Sequence, residues 1–222
     1  MQAIMETLFD ICYLGGVLFL GVRILQRASL PQQRLFGWMA IVLGCGDAFH
    51  LVPRSWGLLH GGLEAYAAPL GFGKAVTSVI MTIFYLMLFY VWKKRYRSDS
   101  RSLTLAAWAL AVVRIALCLF PQNQWLSPVQ PLSWGIIRNV PFSLLGLLII
   151  VLFWQKARRP GDPFRLLWLA VTLSFGFYLP VVLFSDTYPL VGTLMIPKTL
   201  AYVWIVWMGY QDACRSKSPS LS

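Results

Sequence analysis

The apolar positions of this chain neither alternate nor fall along one stripe; they run in blocks of roughly twenty residues separated by short polar connections. An α-helix rising ~1.5 Å per residue needs blocks of that length to cross ~30 Å of hydrocarbon. Seven can be delimited, at 7–27, 35–53, 72–92, 103–120, 132–154, 164–184 and 190–210. The pattern predicts an all-α polytopic integral membrane protein, a seven-transmembrane-helix bundle forming one domain over 1–212, with a short disordered tail at 213–222. The longest connection, 54–71, leaves no room for a separate soluble domain. Pro53 and Arg54 are expected to end the second helix, because a proline pushes the residue before it out of the helical region.

Composition sharpens this. Of 222 residues, 58% are hydrophobic and 12% charged, where a soluble domain carries about a quarter charged residues. The first block has no basic segment ahead of it, and Arg23, Arg27 and Arg34 come at and after its end. It therefore reads as a retained first helix rather than a signal peptide.

The net charge is +11 and the isoelectric point about 9.9, but its distribution excludes a nucleic-acid reading. Fourteen bases fall in alternate connections and the tail: Arg23, Arg27, Arg34, Lys93, Lys94, Arg95, Arg97, Arg101, Lys156, Arg158, Arg159, Arg165, Arg215 and Lys217. Asp99, Asp162 and Asp212 share that side, leaving all of the +11 there. By the positive-inside rule this side is cytoplasmic. The N-terminus is then outside and the C-terminus inside, in a multi-pass protein of the cell membrane. The basicity reports topology and favours contact with anionic membrane lipids. Trp38, Trp92 and Trp154 mark the inner ends of spans, and Trp56, Trp125 and Trp134 the outer ends, as an interfacial belt does.

Several chemistries find no motif. Cys12, Cys45, Cys118 and Cys214 form no CxxC pair, and His50 and His60 form neither HxxxH nor HExxH. GxSxG, P-loop and Rossmann fingerprints are absent, so no metal and no cofactor are expected.

What stands out is polarity at membrane depth. Asp10, Asp47, His50, Lys74, Arg114, Arg138, Asn139, Tyr178, Asp186 and Lys198 all fall in the outer half of their helices or at its boundary. A charge at the centre of a membrane helix costs ~2.5–3.5 kcal/mol on insertion scales, so such groups face the bundle interior. Their shared level predicts a polar cavity open to the outside; the competing expectation is a set of interhelical ion pairs such as Asp47 with Arg138. Pro141, Pro180 and Pro197, each inside a predicted span, suggest helices broken where they line that cavity. Asp47 and His50, three residues apart, leave one helix face at neighbouring points and could do acid–base chemistry. Arg114, Arg138 and Lys198 suit a phosphate or carboxylate headgroup. The candidate catalytic residues are thus Asp47, Asp186 and His50. The candidate ligand-binding residues are Arg138, Lys198, Arg114, Tyr178, Asn139 and Asp10.

Two stretches, "GDAFHLVPR" at 46–54 and "LFSDTYPLV" at 183–191, resemble the Gly-Asp and Ser-Asp signatures of the lysoplasmalogenase-like membrane family. The resemblance implies a multi-helix enzyme in which Asp47 and Asp186 serve as acid and base in cleaving a vinyl-ether bond. The Phe49–His50 pair also resembles the seven-helix alkaline ceramidases, whose HxxxH in the last helix has no counterpart here. The leading expectation is therefore a membrane-embedded enzyme acting on a lipid or amphipathic anion. A transporter or receptor for a small anion is the alternative. A retinal Schiff base on Lys198, with Asp10 or Asp47 as counter-ion, is a remote one. A fourth expectation is a structural factor whose polar cluster is ion pairs. Partners are membrane lipids and an anionic ligand; nothing in the sequence indicates an oligomeric state.

Overall fold

A computed structural model describes residues 2–60, 62–157, 160–185 and 187–215. Helices α1 (Gln2–Arg27), α2 (Pro31–Leu59), α3 (Ala67–Arg95), α4 (Arg101–Leu119), α5 (Leu132–Lys156), α6 (Leu167–Phe184) and α7 (Met195–Arg215) make up the fold. Short 3-10 turns precede α3, α5 and α7, at Glu64–Tyr66, Pro121–Asn123 and Pro189–Leu194. Among the described residues there is no strand, and all seven helices are long and apolar enough to cross a membrane.

Helix α2 does not end at Pro53; it continues to Leu59 with Pro53 inside it. A mid-helix proline removes one hydrogen bond and frees the carbonyl four residues back, here that of Phe49. That carbonyl is covered by α3 at Gly73, where any Cβ would collide with the Phe49 oxygen. The opposite shift occurs at α7, which begins at Met195 rather than at 190. Pro197 therefore lies in its first turn, where a missing N–H breaks nothing. Pro141 and Pro180 are inside α5 and α6 as expected. Helix α7 also runs past 212 to Arg215, whose guanidinium donates to the Gly161 carbonyl at 2.6 Å. The tail at 216–222 and the connection residues Arg158 and Arg159 lie outside the described residues.

Consecutive helices are neighbours, and α7 closes the ring against α1 and α2, while α3 also touches α5. The seam of α1, α2 and α3 is built from small residues. Gly44 meets Leu18 and Val17 of α1, and Gly46 meets Ile80 of α3. In lipid, helices gain no hydrophobic drive by associating, so close backbone approach through small residues carries the packing. The outer surface is correspondingly apolar, with Leu105, Leu119, Ile11 and Phe19 among the exposed side chains of the helices. A belt of that kind is a liability in water and the expected face towards hydrocarbon.

The end of the bundle where the bases collect is tied shut. Arg95 donates to Asp212 at 2.7 Å and to Asp162 at 3.0 Å, joining α3, α7 and the α5–α6 connection. Tyr96 donates to the other Asp162 oxygen at 2.8 Å; burial, then that carboxylate, push the Tyr96 pKa up and keep the phenol protonated. Gln33, buried at the start of α2, donates to the carboxylate and carbonyl of Asp212. The Arg95 guanidinium lies 4.6 Å from the Phe164 ring, which stacks on Phe36. Every charge in this cluster has an opposite partner.

Candidate functional site

The opposite end is built differently, beginning with the C-terminus of α4. A helix leaves its last carbonyls without partners, and here the following loop satisfies them. The fully buried Asn123 donates through Nδ2 to the carbonyls of Leu117 at 2.7 Å and Phe120 at 2.8 Å. Trp125 donates through its indole to Cys118 at 2.8 Å. The loop is pressed onto α3, where the Trp125 carbonyl lies against Gly71 and leaves no room for a side chain. So held, the loop presents two groups to α5. The Oδ1 of Asn123 accepts from Arg138 Nη1 at 2.8 Å, and the Trp125 ring lies 4.2 Å from the Arg138 guanidinium.

One turn of α5 then contributes to both sides. Asn139 donates to the Gly135 carbonyl at 2.8 Å and accepts from the Tyr178 hydroxyl of α6 at 2.9 Å. The Tyr178 ring in turn lies 5.0 Å from the Lys198 ammonium of α7, which is 5.4 Å from the Tyr202 ring. Lys198 thus sits between two aromatic faces, the geometry of cation–π attraction.

These elements enclose a cavity of about 560 Å³, within the range of small-molecule sites. Arg114, Arg138, Lys198, Lys74 and His50 all line it, with Asn139 and Tyr178. Among the described lining residues there is no carboxylate. Phe142, Met81, Val181, Val182 and Met195 supply apolar wall. Arg114 is the least expected member. It is 1% exposed, its guanidinium lies 5.2 Å from the Phe142 ring, and its Nε and Nη1 have no hydrogen-bond partner. The Nδ1 of His50 is likewise buried without a partner. The hydroxyls of Tyr85, Ser174 and Tyr202 lie together as neighbours.

Not every candidate comes to this cavity. Asp47 leaves α2 towards α1, where its carboxylate accepts from the Tyr13 hydroxyl at 2.6 Å; it interacts electrostatically with Lys198 but is not a lining residue. His50, one turn on, does line it, so the two are separated by function of face. The ion pair of Asp47 with Arg138 does not form. Asp10 accepts from Ser55 at 3.1 Å in the α1–α2 seam, beside a Glu6–Arg54 ion pair at 2.9 Å, and stays away from the cavity. Asp186 lies outside the described residues. His60 stacks on Trp56 at the end of α2, with ring centroids 4.1 Å apart. No group of three or more metal-ligating side chains occurs among the described residues.

Sequence reasoning missed Asn123 and Trp125. An asparagine just past a helix end is a recognisable capping residue, but its second role, holding Arg138, has no signal in one dimension. No protein-family model, curated protein or solved structure matches this chain.

Proposed function

We propose that the chain is a cell-membrane protein with its N-terminus outside and its C-terminus in the cytoplasm, and that its cavity binds an amphipathic anion reaching it from the outer leaflet or the outer medium. The orientation rests on the positive-inside rule applied to the basic end. The ligand class rests on one observation: Arg114, fully buried, with two unpartnered nitrogens, faces a cavity whose described lining residues include three further cations and no carboxylate. Buried charges are ordinarily paired. A guanidinium without an acid, beside a cavity, is matched by an anion brought from outside.

The catalytic extension follows the resemblance and competes with the anion reading: Asp47 and Asp186 are acid and base on a lysoplasmalogen, whose head is zwitterionic, with His50 at the cavity wall and Asp47 against Tyr13 outside the lining. A retinal reading gains less, since a polyene offers nothing to two guanidinium groups.

The test uses purified protein in nanodiscs and single-chain amphiphiles of one tail length carrying anionic, zwitterionic or cationic heads. Only the anionic set should raise the melting temperature, and Arg114→Met should remove the effect. Equal stabilisation by all three heads would sink the reading. Turnover of a lysoplasmalogen by wild type and its loss in Asp47→Asn, followed by mass spectrometry, tests the catalytic extension. Cysteines placed at Gln122 and Asp99 in a cysteine-free background test orientation: an impermeant thiol reagent on intact cells should label only the first.

A further inference from the structure

We infer that the anion is a dianion of phosphomonoester type, its phosphoryl group held between the guanidinium groups of Arg114 and Arg138. This rests on the anion-site reading above and narrows it. The four cations around the cavity are not equivalent. Lys198 has its charge shared with Asp47 and two aromatic rings. Lys74 stands exposed at the rim.

The two arginines have only neutral company among the described residues. Arg114 has the Phe142 ring, and Arg138 has Asn123 and the Trp125 ring. Both line the same cavity. Two like charges held together at membrane depth, each without an acid, form a site whose deficit is two negative charges rather than one. Guanidinium forks match phosphate oxygens in geometry, and a terminal phosphate offers three of them with a charge of about −1.5 to −2 near neutral pH.

The scaffold is built to keep this pair in place without a ligand. Asn123 fixes Arg138 while its own amide caps α4, the helix that carries Arg114. One side chain therefore ties the Arg138 guanidinium to the end of the helix that carries Arg114. A phosphodiester or carboxylate, carrying one charge, leaves one of the two uncompensated. A zwitterionic head adds a cation to a site that already has too many.

The experiment compares dodecyl phosphate with its methyl ester, which has the same tail and phosphorus but one charge, and with inorganic phosphate, at pH 8 in nanodiscs. Dodecyl phosphate should bind wild type at least about tenfold more tightly than the methyl ester, since loss of one charge-assisted contact is of that order. The ratio should fall towards one in Arg138→Gln, in Arg114→Met, and in Asn123→Leu. Because the decisive ratio is measured on wild type, it does not depend on any variant folding. Equal affinity for the two esters would overturn the dianion while leaving an anion site standing. Failure of both esters to bind would overturn the dianion and the anion-site reading together. Inorganic phosphate matching the dodecyl ester would support the dianion and move its source from lipid to the aqueous phase. A clear preference for the dodecyl ester would support it with the lipid as source.

Discussion

Removing the charge from Arg114 should make the empty protein more stable while disabling it. Arg114→Met keeps an unbranched stem of similar reach and deletes the guanidinium. What is lost is one cation–π contact at 5.2 Å from the Phe142 ring, worth about 0.5–2 kcal/mol. What is relieved is the burial of two nitrogens with no partner, each costing about 1–3 kcal/mol when left unmade. Methionine sulfur against the Phe142 face returns part of the lost contact. The balance favours the variant by about 1–3 kcal/mol, or roughly 3–10 °C in melting temperature for a chain of this size. Tryptophan fluorescence during a thermal ramp in nanodiscs reads this directly, since the chain has 10 tryptophans. The same samples with dodecyl phosphate should show the order reversed, wild type gaining and the variant not. A variant that melts well below wild type without ligand would mean that the protein itself supplies the missing anion, and the case for an external one would collapse.

Other perturbations probe the rest of the fold. Arg95→Met leaves Asp162 and Asp212 without their shared cation and should cost about 3–5 kcal/mol, read as a lower melting temperature. Gly73→Ala drives a Cβ into the Phe49 carbonyl, a backbone atom that cannot swing aside; a loss of about 1–3 kcal/mol is expected on the scale of overpacked cores, measured by thermal melting. A double-mutant cycle of Asp47→Asn with Lys198→Met should give a coupling of about 0.5–1.5 kcal/mol, and a value near zero would separate the Tyr13–Asp47 pair from the cavity altogether.

The spans were legible because an apolar run of membrane length is read without any knowledge of neighbours. Their ends were less so. Pro53 looked like a stop because its cost is local and visible, whereas the compensation, α3 closing over the Phe49 carbonyl at Gly73, comes from residues far along the chain. The cavity cations were legible for the reason the spans were: Arg114, Arg138 and Lys198 stand against an apolar background. At the basic end there is no such background. Arg95 sits among Lys93, Lys94 and Arg97, and only the fold selects it as the one that meets Asp162 and Asp212. The treatment of Asp47 and His50 as one unit fails for a geometric reason. Helix α2 lies between α1 and α3, so neighbouring points on its surface face different helices, Tyr13 for one and the cavity for the other.

The two ends of the bundle also bear on enzyme against transporter. Alternating access requires that the site open in turn to each side of the membrane, with the packing at either end able to part. At the cavity end the loop held by Asn123 and Trp125 contributes to the lining beside the arginines. The basic end is closed by charge. Parting α3 from α7 there would strip Arg95 from Asp212 and break the Gln33 contacts, and parting α3 from the α5–α6 connection would strip it from Asp162. Trp92, donating from α3 to the Leu152 carbonyl of α5 at 3.0 Å, adds a further tie just above. These ion pairs and the Gln33 and Tyr96 hydrogen bonds would have to part together, and a phosphate ligand at the far end makes no contact with the closed cluster that could offset their loss. A ligand shifts an equilibrium only by its differential affinity for the two states. The arrangement therefore favours a site entered and left from one side, which suits a receptor or an enzyme better than a carrier. Proteoliposomes of the wild-type protein should take up neither dodecyl phosphate nor inorganic phosphate; robust uptake by wild type would show that the basic end opens after all.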